Sequence, residues 1–469
     1  MRAWLTCFLA LLFAAQPVLA QTPPAPPVSY NQPVIAITHV ALVDGTGAPA
    51  QRDMTIVLRE GRIAELGPAR RIRVPAGATI IDGTGKTVLP GFVFVHEHMF
   101  YPTGGGHFSS MLASFPPLYL AGGVTTARTG GSVAPYADLS LRDAIAAGTV
   151  LGPDLDVTGP YIEGRGLGIM ELHAAAGPDA VGQLVNYWAD TGVTSFKAYM
   201  MLDRPGLRRA IETAHRRGLK ITGHLCAVTY REAAEMGIDN LEHGFAAMTD
   251  FVPGKQPDVC PLQQTGDLLG NVDPASPQVR DLIATLVQRR VALTSTLVVF
   301  EDMTPGRQRL SEPERALLNE SALRSYDAVH RLIDGGGRRR TADSFTKSMR
   351  LEHMFVEAGG LLLAGTDPTG AGGALPGFAS IRQIQLLVEA GFSFEQAVRI
   401  GTLNGAVYLG RERDVGSLAA GKRADLILVD GDPVRDPAAL GRIVTVFKAG
   451  VGYDRQALLA SARGLIGYR

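Results

Sequence analysis

Strand and helix signals alternate along most of this chain, from about Gly91 to about Asn404. Short apolar segments such as GVTTART, VTSFKAY, KITGHL and LLLAGTD have the composition of buried β-strands. Longer amphipathic segments such as RPGLRRAIETAHRRG lie between them, and many end near a glycine, as helix C-termini often do. Alternation over this length favours a parallel α/β fold, and we predict a (β/α)₈ TIM-like barrel.

Both ends of the chain depart from this alternation and predict a second, β-rich unit. Apolar or alternating segments closed by glycine turns occupy residues 34–88, and two more, RADLILVD and RIVTVFKAG, follow the last helix segment. We therefore predict a barrel over residues 89–404 and a small β-sandwich domain formed jointly by residues 34–88 and 405–469. A chain of 469 residues has the length for one large barrel with such an addition.

The first twenty residues have the pattern of a secretory signal peptide. Arg2 supplies a positive charge, residues 4–15 are apolar, and VLA at 18–20 forms a small-residue cleavage site. The Pro-rich residues 21–33 then predict an extended linker. Because the apolar run is short for a bilayer, we expect a periplasmic or secreted protein without stable membrane insertion.

The charge balance bears on possible partners, and the cysteines bear on a possible disulfide. Lys+Arg and Asp+Glu are balanced at 45 each, so net charge gives no support to a nucleic-acid or anionic-membrane partner. A small-molecule substrate is expected, and the sequence leaves open whether the chain forms a homo-oligomer. An exported chain would retain Cys226 and Cys260. An oxidising compartment permits a disulfide between them, but sequence does not show whether they are close.

Metal-binding types of side chain stand where the predicted strands end. The segment VLPGFVFVHEHMF ends on His96 and His98, which share one face of the strand, whereas Glu97 faces the other side. The C-terminal strand ends of a barrel point into the mouth where active sites form. Further strand segments end on Lys197 in VTSFKAYM, His224 in KITGHL, His243 in NLEHGF and Asp367 in LLLAGTD. Buried Lys and Asp are rare unless they are paired or bind metal, so these positions indicate a metal site.

Taken together, these motifs resemble the metal-dependent amidohydrolase superfamily. The resemblance rests on the pattern PG-x₄-HxH, followed by Lys, His, His and GTD on successive strands, and on the flanking segments GGVTTART and GSLAAGKRADLILVDGDP. It extends from about Val34 to about Gly450. The segment NLEHGF is similar to the exported dipeptidase and imidazolonepropionase-like branch, whereas SFKAYM is similar to the lysine strand of dihydropyrimidinase-like cyclic-amide hydrolases.

The resemblance implies a binuclear centre with two divalent metal ions. Its implied ligands are His96, His98 and Asp367 for the first ion, His224 and His243 for the second, and Lys197, carboxylated by carbon dioxide, as the bridge. A buried lysine readily shifts its pKa, so it can meet carbon dioxide as a neutral amine. Zinc is the expected metal for nitrogen and oxygen ligands, with manganese, iron and cobalt as alternatives.

The implied reaction is hydrolysis of a carbon–nitrogen bond in an amide or peptide-like small molecule. Bound metal generates hydroxide near neutral pH, and Asp367 would act first as general base and then as general acid toward the leaving nitrogen. Four alternatives stay open: a lactonase, a cyclic-amide hydrolase, a deaminase with one working metal, and a non-catalytic scaffold. Lys197 weighs against the deaminase, and the presence of all six ligand positions weighs against the scaffold.

Two further residues are candidates for substrate binding, and one position departs from the superfamily pattern. His107 lies in the Gly-rich segment TGGGHFSS, and Tyr199 lies two residues after Lys197 on the same strand face. A surface histidine and a barrel-rim aromatic residue are the alternative interpretations. Phe94 stands where the superfamily usually has an Asp two residues before the first ligand histidine, which puts the orientation of that histidine in doubt.

Overall fold

The structure is a computed structural model that describes residues 27–262, 267–337 and 340–467. The predicted signal peptide, residues 1–20, and residues 21–26 of the predicted linker lie outside the described residues. The strands are β1 (Val28–Tyr30), β2 (Val34–Leu42), β3 (Gln51–Arg59), β4 (Arg62–Pro68), β5 (Thr79–Asp82), β6 (Lys86–Pro90), β7 (Phe92–Glu97), β8 (Phe100–Gly104), β9 (His107–Ser110), β10 (Val124–Thr129), β11 (Asp154–Asp156), β12 (Thr158–Ile162), β13 (Ser195–Ala198), β14 (Lys220–Gly223), β15 (Asn240–Glu242), β16 (Ala292–Ser295), β17 (Leu362–Ala364), β18 (Leu426–Asp430), β19 (Ile443–Lys448) and β20 (Val451–Asp454). The α-helices are α1 (Phe115–Ala121), α2 (Pro135–Ala146), α3 (Pro178–Thr191), α4 (Arg204–Arg216), α5 (Tyr230–Met236), α6 (Pro277–Gln288), α7 (Leu297–Asp302), α8 (Glu312–Arg315), α9 (Glu320–Asp334), α10 (Ala342–Glu357), α11 (Ala379–Glu389), α12 (Phe394–Gly401), α13 (Leu403–Leu409) and α14 (Arg455–Ser461), and a 3₁₀ helix spans Pro437–Gly441.

Eight parallel strands form a closed barrel. Around the barrel their order is β7, β10, the pair β11 and β12, β13, β14, β15, β16 and β17. β11 pairs with β10 and β12 pairs with β13, so these two short strands make up the third barrel strand, interrupted at Val157. The barrel closes where the backbone N–H groups of Thr366 and Asp367 donate to the carbonyl oxygen of His96, at 3.2 and 3.1 Å.

The helices around the barrel are amphipathic, as α4 illustrates. Its buried face carries small and aliphatic residues at helical spacing: Leu207, Ala210, Ile211 and Ala214. Asp203 caps the N-terminus by accepting a hydrogen bond from the N–H of Gly206 at 2.8 Å. Burial of each large aliphatic side chain contributes about 1.5–3 kcal/mol, so packing on the barrel holds the helix in place. Among the described residues, none of the helices combines the length and apolar composition needed to cross a membrane.

Both chain ends contribute to one β-rich domain. Its nine-stranded sheet has the order β1-β20-β19-β18-β6-β2-β3-β4, with β5 paired to β2. Strands from the two ends are direct neighbours, as in the antiparallel pairing of Ile427 with Leu89. A core of buried Ile, Leu, Val and Met side chains, separate from that of the barrel, fills this domain. The predicted barrel with a β-rich domain from both chain ends is confirmed.

Two segments near the predicted domain boundaries differ from the expectation. Val28–Tyr30, placed in the linker by sequence, instead pairs antiparallel with β20 at the edge of the sheet, where unpaired backbone groups accept another strand. After β20 the chain returns to the barrel, where Arg455 of α14 donates to the carbonyl oxygens of Ala121 and Gly377, at 3.1 and 3.3 Å. The last residues assigned to the β domain therefore pack against the barrel.

Candidate metal centre

The six predicted ligands lie at the C-terminal ends of five barrel strands. His96 and His98 end β7, Lys197 is in β13, and His224, His243 and Asp367 follow β14, β15 and β17. All six side chains line one cavity in the mouth of the barrel. The structure therefore brings together every residue of the predicted ligand set.

His96, His98 and Asp367, here called the first ligand set, form the tightest group. One potential ligand atom from each lies within 4.8 Å of the others. Oδ1 of Asp367 is 3.1 Å from Nε2 of His98 and 3.7 Å from Nε2 of His96. Two imidazoles and one carboxylate are ligands that zinc and similar divalent ions accept. These three donor atoms can therefore bind one cation.

Buried acceptors behind the two histidines fix the direction of their Nε2 atoms. Nδ1 of His98 donates to the carbonyl oxygen of Gly131 at 3.1 Å, and Nδ1 of His96 lies 2.7 Å from Oε2 of Glu242. When Nδ1 of a neutral imidazole donates, the free lone pair is on Nε2. Burial lowers the pKa of His98 to about 4, so this ring is neutral at pH 7. Such partners orient histidines for metal binding.

Glu242 is held in turn by a buried arginine inside the barrel. Nη1 of Arg128 lies 3.3 Å from Oε1 of Glu242 and donates to the carbonyl oxygen of Val95 at 2.8 Å. Its other two nitrogens donate to side-chain hydroxyl groups on β13 and β14. Burial alone raises the pKa of Glu242, but the neighbouring imidazole, ammonium and guanidinium groups hold it well below its usual value. The carboxylate behind His96 is therefore ionised.

His224, His243 and Lys197, here called the second ligand set, come from three adjacent strands. The rings of His224 and His243 meet edge to face with centroids 4.4 Å apart, and Nδ1 of His243 lies 2.9 Å from Oγ1 of Thr296. Burial lowers the pKa of His224 to about 3, so this ring is neutral. His243 has a φ of +70°, which is uncommon outside glycine, and its ring lies 4.7 Å from that of His96.

Lys197 lies between the two ligand sets. Its side chain is buried, and Nζ is 3.2 Å from Nε2 of His96. Burial lowers the pKa of Lys197 to about 8, although the negative charges of Glu242 and Asp367 oppose this change. A substantial fraction of the lysine is therefore a neutral amine near pH 8, which is the form that can react with carbon dioxide.

Asp367 is held on a turn after β17. Its φ is +50°, a conformation that is costly for a residue with a Cβ, and the hydroxyl of Thr369 donates to its Oδ1 at 2.8 Å. Thr366 is tied to β7, because its N–H donates to Oε1 of Glu97 at 2.9 Å and its hydroxyl donates to Oε2. Glu97, which lies between the two histidines in sequence, thus fixes the position of Asp367.

Phe94 does not face the metal site. The pairing of β7 with β10 is irregular beyond Phe94, so the alternation of side chains along the strand is broken before His96. Its ring stacks on Phe92 with centroids 5.4 Å apart, and a Cβ at Gly401 of α12 would lie 3.2 Å from the ring. Phe94 therefore packs toward the surrounding helices, and Glu242 provides the orientation of His96 that the sequence left in doubt.

The two substrate-binding candidates are placed differently. Tyr199 lines the cavity of about 270 Å³ above the ligand sets. Burial raises its pKa well above the usual value, so its hydroxyl stays protonated. His107 is not among the residues that line this cavity, although the adjacent Phe108 is. Nδ1 of His107 lies 3.2 Å from Oε1 of Glu171. Substrate contact stays a prediction for both residues, and in the structure His107 contacts Glu171.

Cys226 and Cys260 form a disulfide across 34 positions in sequence. Cys226 lies two residues after His224, so the bond ties the segment that follows β14 to a distant part of the chain. A disulfide removes conformational freedom from the unfolded chain and limits the motion of the segments that it joins. The compartment expected from the sequence permitted this bond, and the structure supplies the proximity that sequence could not show.

Glu242 and Arg128 are residues that the sequence-based reasoning missed. Arg128 lies in the apolar segment GGVTTART, and Glu242 directly precedes His243 in NLEHGF. Charged residues in strands with few polar neighbours are rarely buried without a partner. Arg128 and Glu242 carry opposite charges in two predicted buried strands. This combination could have indicated an ion pair inside the barrel.

Comparisons with known proteins bear on both the fold and the site. The sequence profile described as Amidohydrolase family matches residues 87–451 of this chain. Imidazolonepropionase from Streptomyces griseus subsp. griseus is 24% identical over 428 residues, which cover 84% of this chain and 92% of that relative. A bottromycin amidohydrolase structure gives a TM-score of 0.68 at 22% identity, covering 93% of this chain and 92% of that chain. An Xaa-Pro dipeptidase with bound methionine gives 0.66 at 19% identity, covering 90% and 100%. The two solved structures support the fold.

Proposed function

The chain belongs to the amidohydrolase family, hydrolases that act on carbon–nitrogen bonds, and on this premise we propose an exported, metal-dependent enzyme that cleaves an amide or peptide-like small molecule. The observation that carries the proposal is the first ligand set. Its three donor atoms converge within 4.8 Å, and buried acceptors turn both histidines toward the common centre. A structural role alone does not require two imidazoles and a carboxylate to converge in this way.

The donor chemistry of both ligand sets fits divalent cations. His96, His98 and Asp367 would hold one ion, and His224 and His243 would hold the second. A carbamate on Lys197 would supply the shared oxygen ligands, because an ammonium repels cations whereas a carbamate offers two anionic oxygens. We propose zinc, since its protein ligands are imidazole nitrogens and carboxylate oxygens. When bound, the metal lowers the pKa of a water molecule and polarises the scissile carbonyl.

Asp367 would move the proton in this reaction. Burial alone raises its pKa, but its contacts with His96, His98 and His243 hold the pKa well below the usual value. It therefore begins the reaction as a carboxylate, which can accept a proton from the attacking water and pass it to the leaving nitrogen. Thr369 orients this carboxylate through its hydrogen bond to Oδ1. The hydroxyl of Tyr199, which lines the cavity, is a donor for the substrate carbonyl.

The substitution Asp367→Asn tests this assignment. Turnover should fall by roughly 100-fold to 10,000-fold, the usual contribution of a general base, while most of the bound metal is retained. Metal content by mass spectrometry and hydrolysis of a panel of dipeptides, N-acyl amino acids, N-acyl amines, cyclic amides and lactones measure both quantities. Asp179→Asn, at a side chain that is 95% exposed, is the matched control. Full activity in Asp367→Asn contradicts the assigned function.

Export is the part of the proposal that rests on the N-terminal sequence. The disulfide between Cys226 and Cys260 supports it, since such bonds persist in oxidising compartments and are rare in the cytosol. Expression of the full chain in a bacterial host, followed by cell fractionation and N-terminal sequencing, should give periplasmic or secreted protein that begins at Gln21. Unprocessed protein confined to the cytosol would contradict export.

A further inference from the structure

The cavity above the ligand sets is enclosed by apolar side chains from three separate elements. The hairpin β8–β9, the segment after β12, and α7 with its C-cap contribute Phe100, Phe108, Ile169, Leu172, Phe300 and Met303. These elements follow different barrel strands, so they surround the ligand sets from different directions. A molecule bound at the centre would therefore contact apolar surface on each of these sides.

The apolar surface begins at the ligand histidines themselves. The ring of Phe100 lies over that of His98 with centroids 4.4 Å apart, and Phe108 continues the series 5.1 Å from Phe100. On the other side, the ring of Phe300 meets that of His243 at 5.6 Å. The groups of a substrate that directly flank the scissile bond would thus lie against aromatic rings.

Formal charge in the cavity is confined to the ligand sets. Among the described residues that line it, Lys197 and Asp367 are the only ones with an Asp, Glu, Lys or Arg side chain. The guanidinium of Arg340 lies 4.4 Å from the ring centroid of Phe300, but Arg340 is not part of the lining. Beyond Lys197 and the metal ions that the ligand sets would hold at the scissile bond, the described lining therefore offers no cationic side chain to pair with a carboxylate on the substrate.

We infer that the substrate is neutral on both sides of the scissile bond and carries a short apolar chain, as in an N-acyl alkylamine. This inference rests on the proposed function and names its substrate class. A dipeptide or an N-acyl amino acid would bring a free carboxylate next to the aromatic rings, and burial of an unpaired charge strongly opposes binding. The volume of about 270 Å³ lies just below the range of about 300–1,000 Å³ for drug-sized ligands, which favours a small molecule.

A pair of substrates that differ by one carboxylate tests the inference. N-butanoyl-3-methylbutylamine is N-butanoyl-leucine without its carboxylate, so both present the same amide and the same apolar groups. With zinc-loaded protein, kcat/KM for release of the amine should be about 100-fold or more higher for the neutral compound. Equal or higher kcat/KM for N-butanoyl-leucine overturns the inference and leaves the proposed function standing. If the protein hydrolyses neither compound nor any other member of the panel, the proposed function is contradicted as well.

A series of acyl chains and a substitution in the apolar wall of the cavity test the inference further. Across acetyl, butanoyl and hexanoyl amides of 3-methylbutylamine, kcat/KM should rise by up to about fourfold per methylene, as for burial of apolar surface. Leu172→Ala should reduce this increase, whereas Met170→Ala, at a residue that is 75% exposed in the same segment, should not. An increase that is unchanged in Leu172→Ala contradicts the apolar wall.

Arg340 provides a separate test of charge recognition. Arg340→Gln should leave the ratio of kcat/KM between the neutral and charged compounds unchanged, because the guanidinium lies outside the cavity lining. If kcat/KM for N-butanoyl-leucine falls tenfold while that for the neutral amide is retained, Arg340 binds the carboxylate and the inference is wrong. Circular dichroism of each variant confirms that the fold is intact.

Discussion

The two ligand sets differ in how much of their geometry exists before any ligand binds. In the first set, Glu242 and the carbonyl oxygen of Gly131 fix both histidines from behind. In the second set, a threonine hydroxyl contacts His243, and within the described chain the ring of His224 has aromatic contacts but no hydrogen bond. The barrel therefore pre-organises the first set, whereas the geometry of the second set depends on whether Lys197 is an amine or a carbamate.

The acids behind the two sets also differ in charge. Glu242 has Arg128 beside it, and its pKa is held well below the usual value despite burial. Glu352 lies behind the turn after His243, accepts a hydrogen bond from Ser295 at 2.7 Å, and has no cation partner among the described residues. Burial raises the pKa of Glu352 to about 8. A buried acid with a cation stays ionised, whereas one without a cation is neutral at pH 7.

Lys197→Ala should show the largest difference between the two ligand sets. Metal content should fall from two ions to one per chain, and turnover should be lost, because the second set keeps only two histidines. Short carboxylic acids should restore part of the activity by replacing the carbamate oxygens. Lys220→Ala, at the opposite end of the adjacent strand β14, is the matched control for loss of a barrel lysine. Two ions per chain in Lys197→Ala would show that the carbamate bridge is wrong.

Glu242→Gln weakens the pre-organisation of the first set. Without the negative charge, Arg128 is left buried and unpaired, so the free energy of unfolding should fall by about 3 kcal/mol. The affinity for the first metal should fall by roughly 10-fold to 100-fold, as for loss of other groups that orient ligand histidines. Urea titration and competition with a chelator measure these effects. Glu235→Gln, at an exposed position of α5, is the control, and an unchanged metal affinity would refute the orienting function of Glu242.

The same contrast separates what the sequence could predict from what it could not. Alternating strand and helix segments predicted the barrel, and polar residues at strand ends predicted that six side chains would meet, because parallel strands share one C-terminal edge. Glu242 contacts His96, and the next residue, His243, lines the cavity with a positive φ, while the pairing of β7 with β10 is irregular just before His96. Both features break the period-two alternation on which sequence reasoning depends, and the irregular pairing in β7 also turns Phe94 away from the site.

The effect of Glu352→Gln on stability should depend on pH. The folded-state pKa of about 8 lies above the ordinary value of 4.5, so the folded protein binds this proton more tightly than the unfolded chain does. The contribution to stability is complete below pH 4.5 and is lost as the pH rises toward 8. Between pH 5 and 8, the free energy of unfolding of the metal-free wild-type protein should fall by about 1 kcal/mol per pH unit more than that of Glu352→Gln. Urea denaturation at several pH values measures this difference. If the free energy of unfolding changes equally with pH in both proteins, Glu352 is ionised in the folded protein, and Glu352 and Glu242 do not differ in charge.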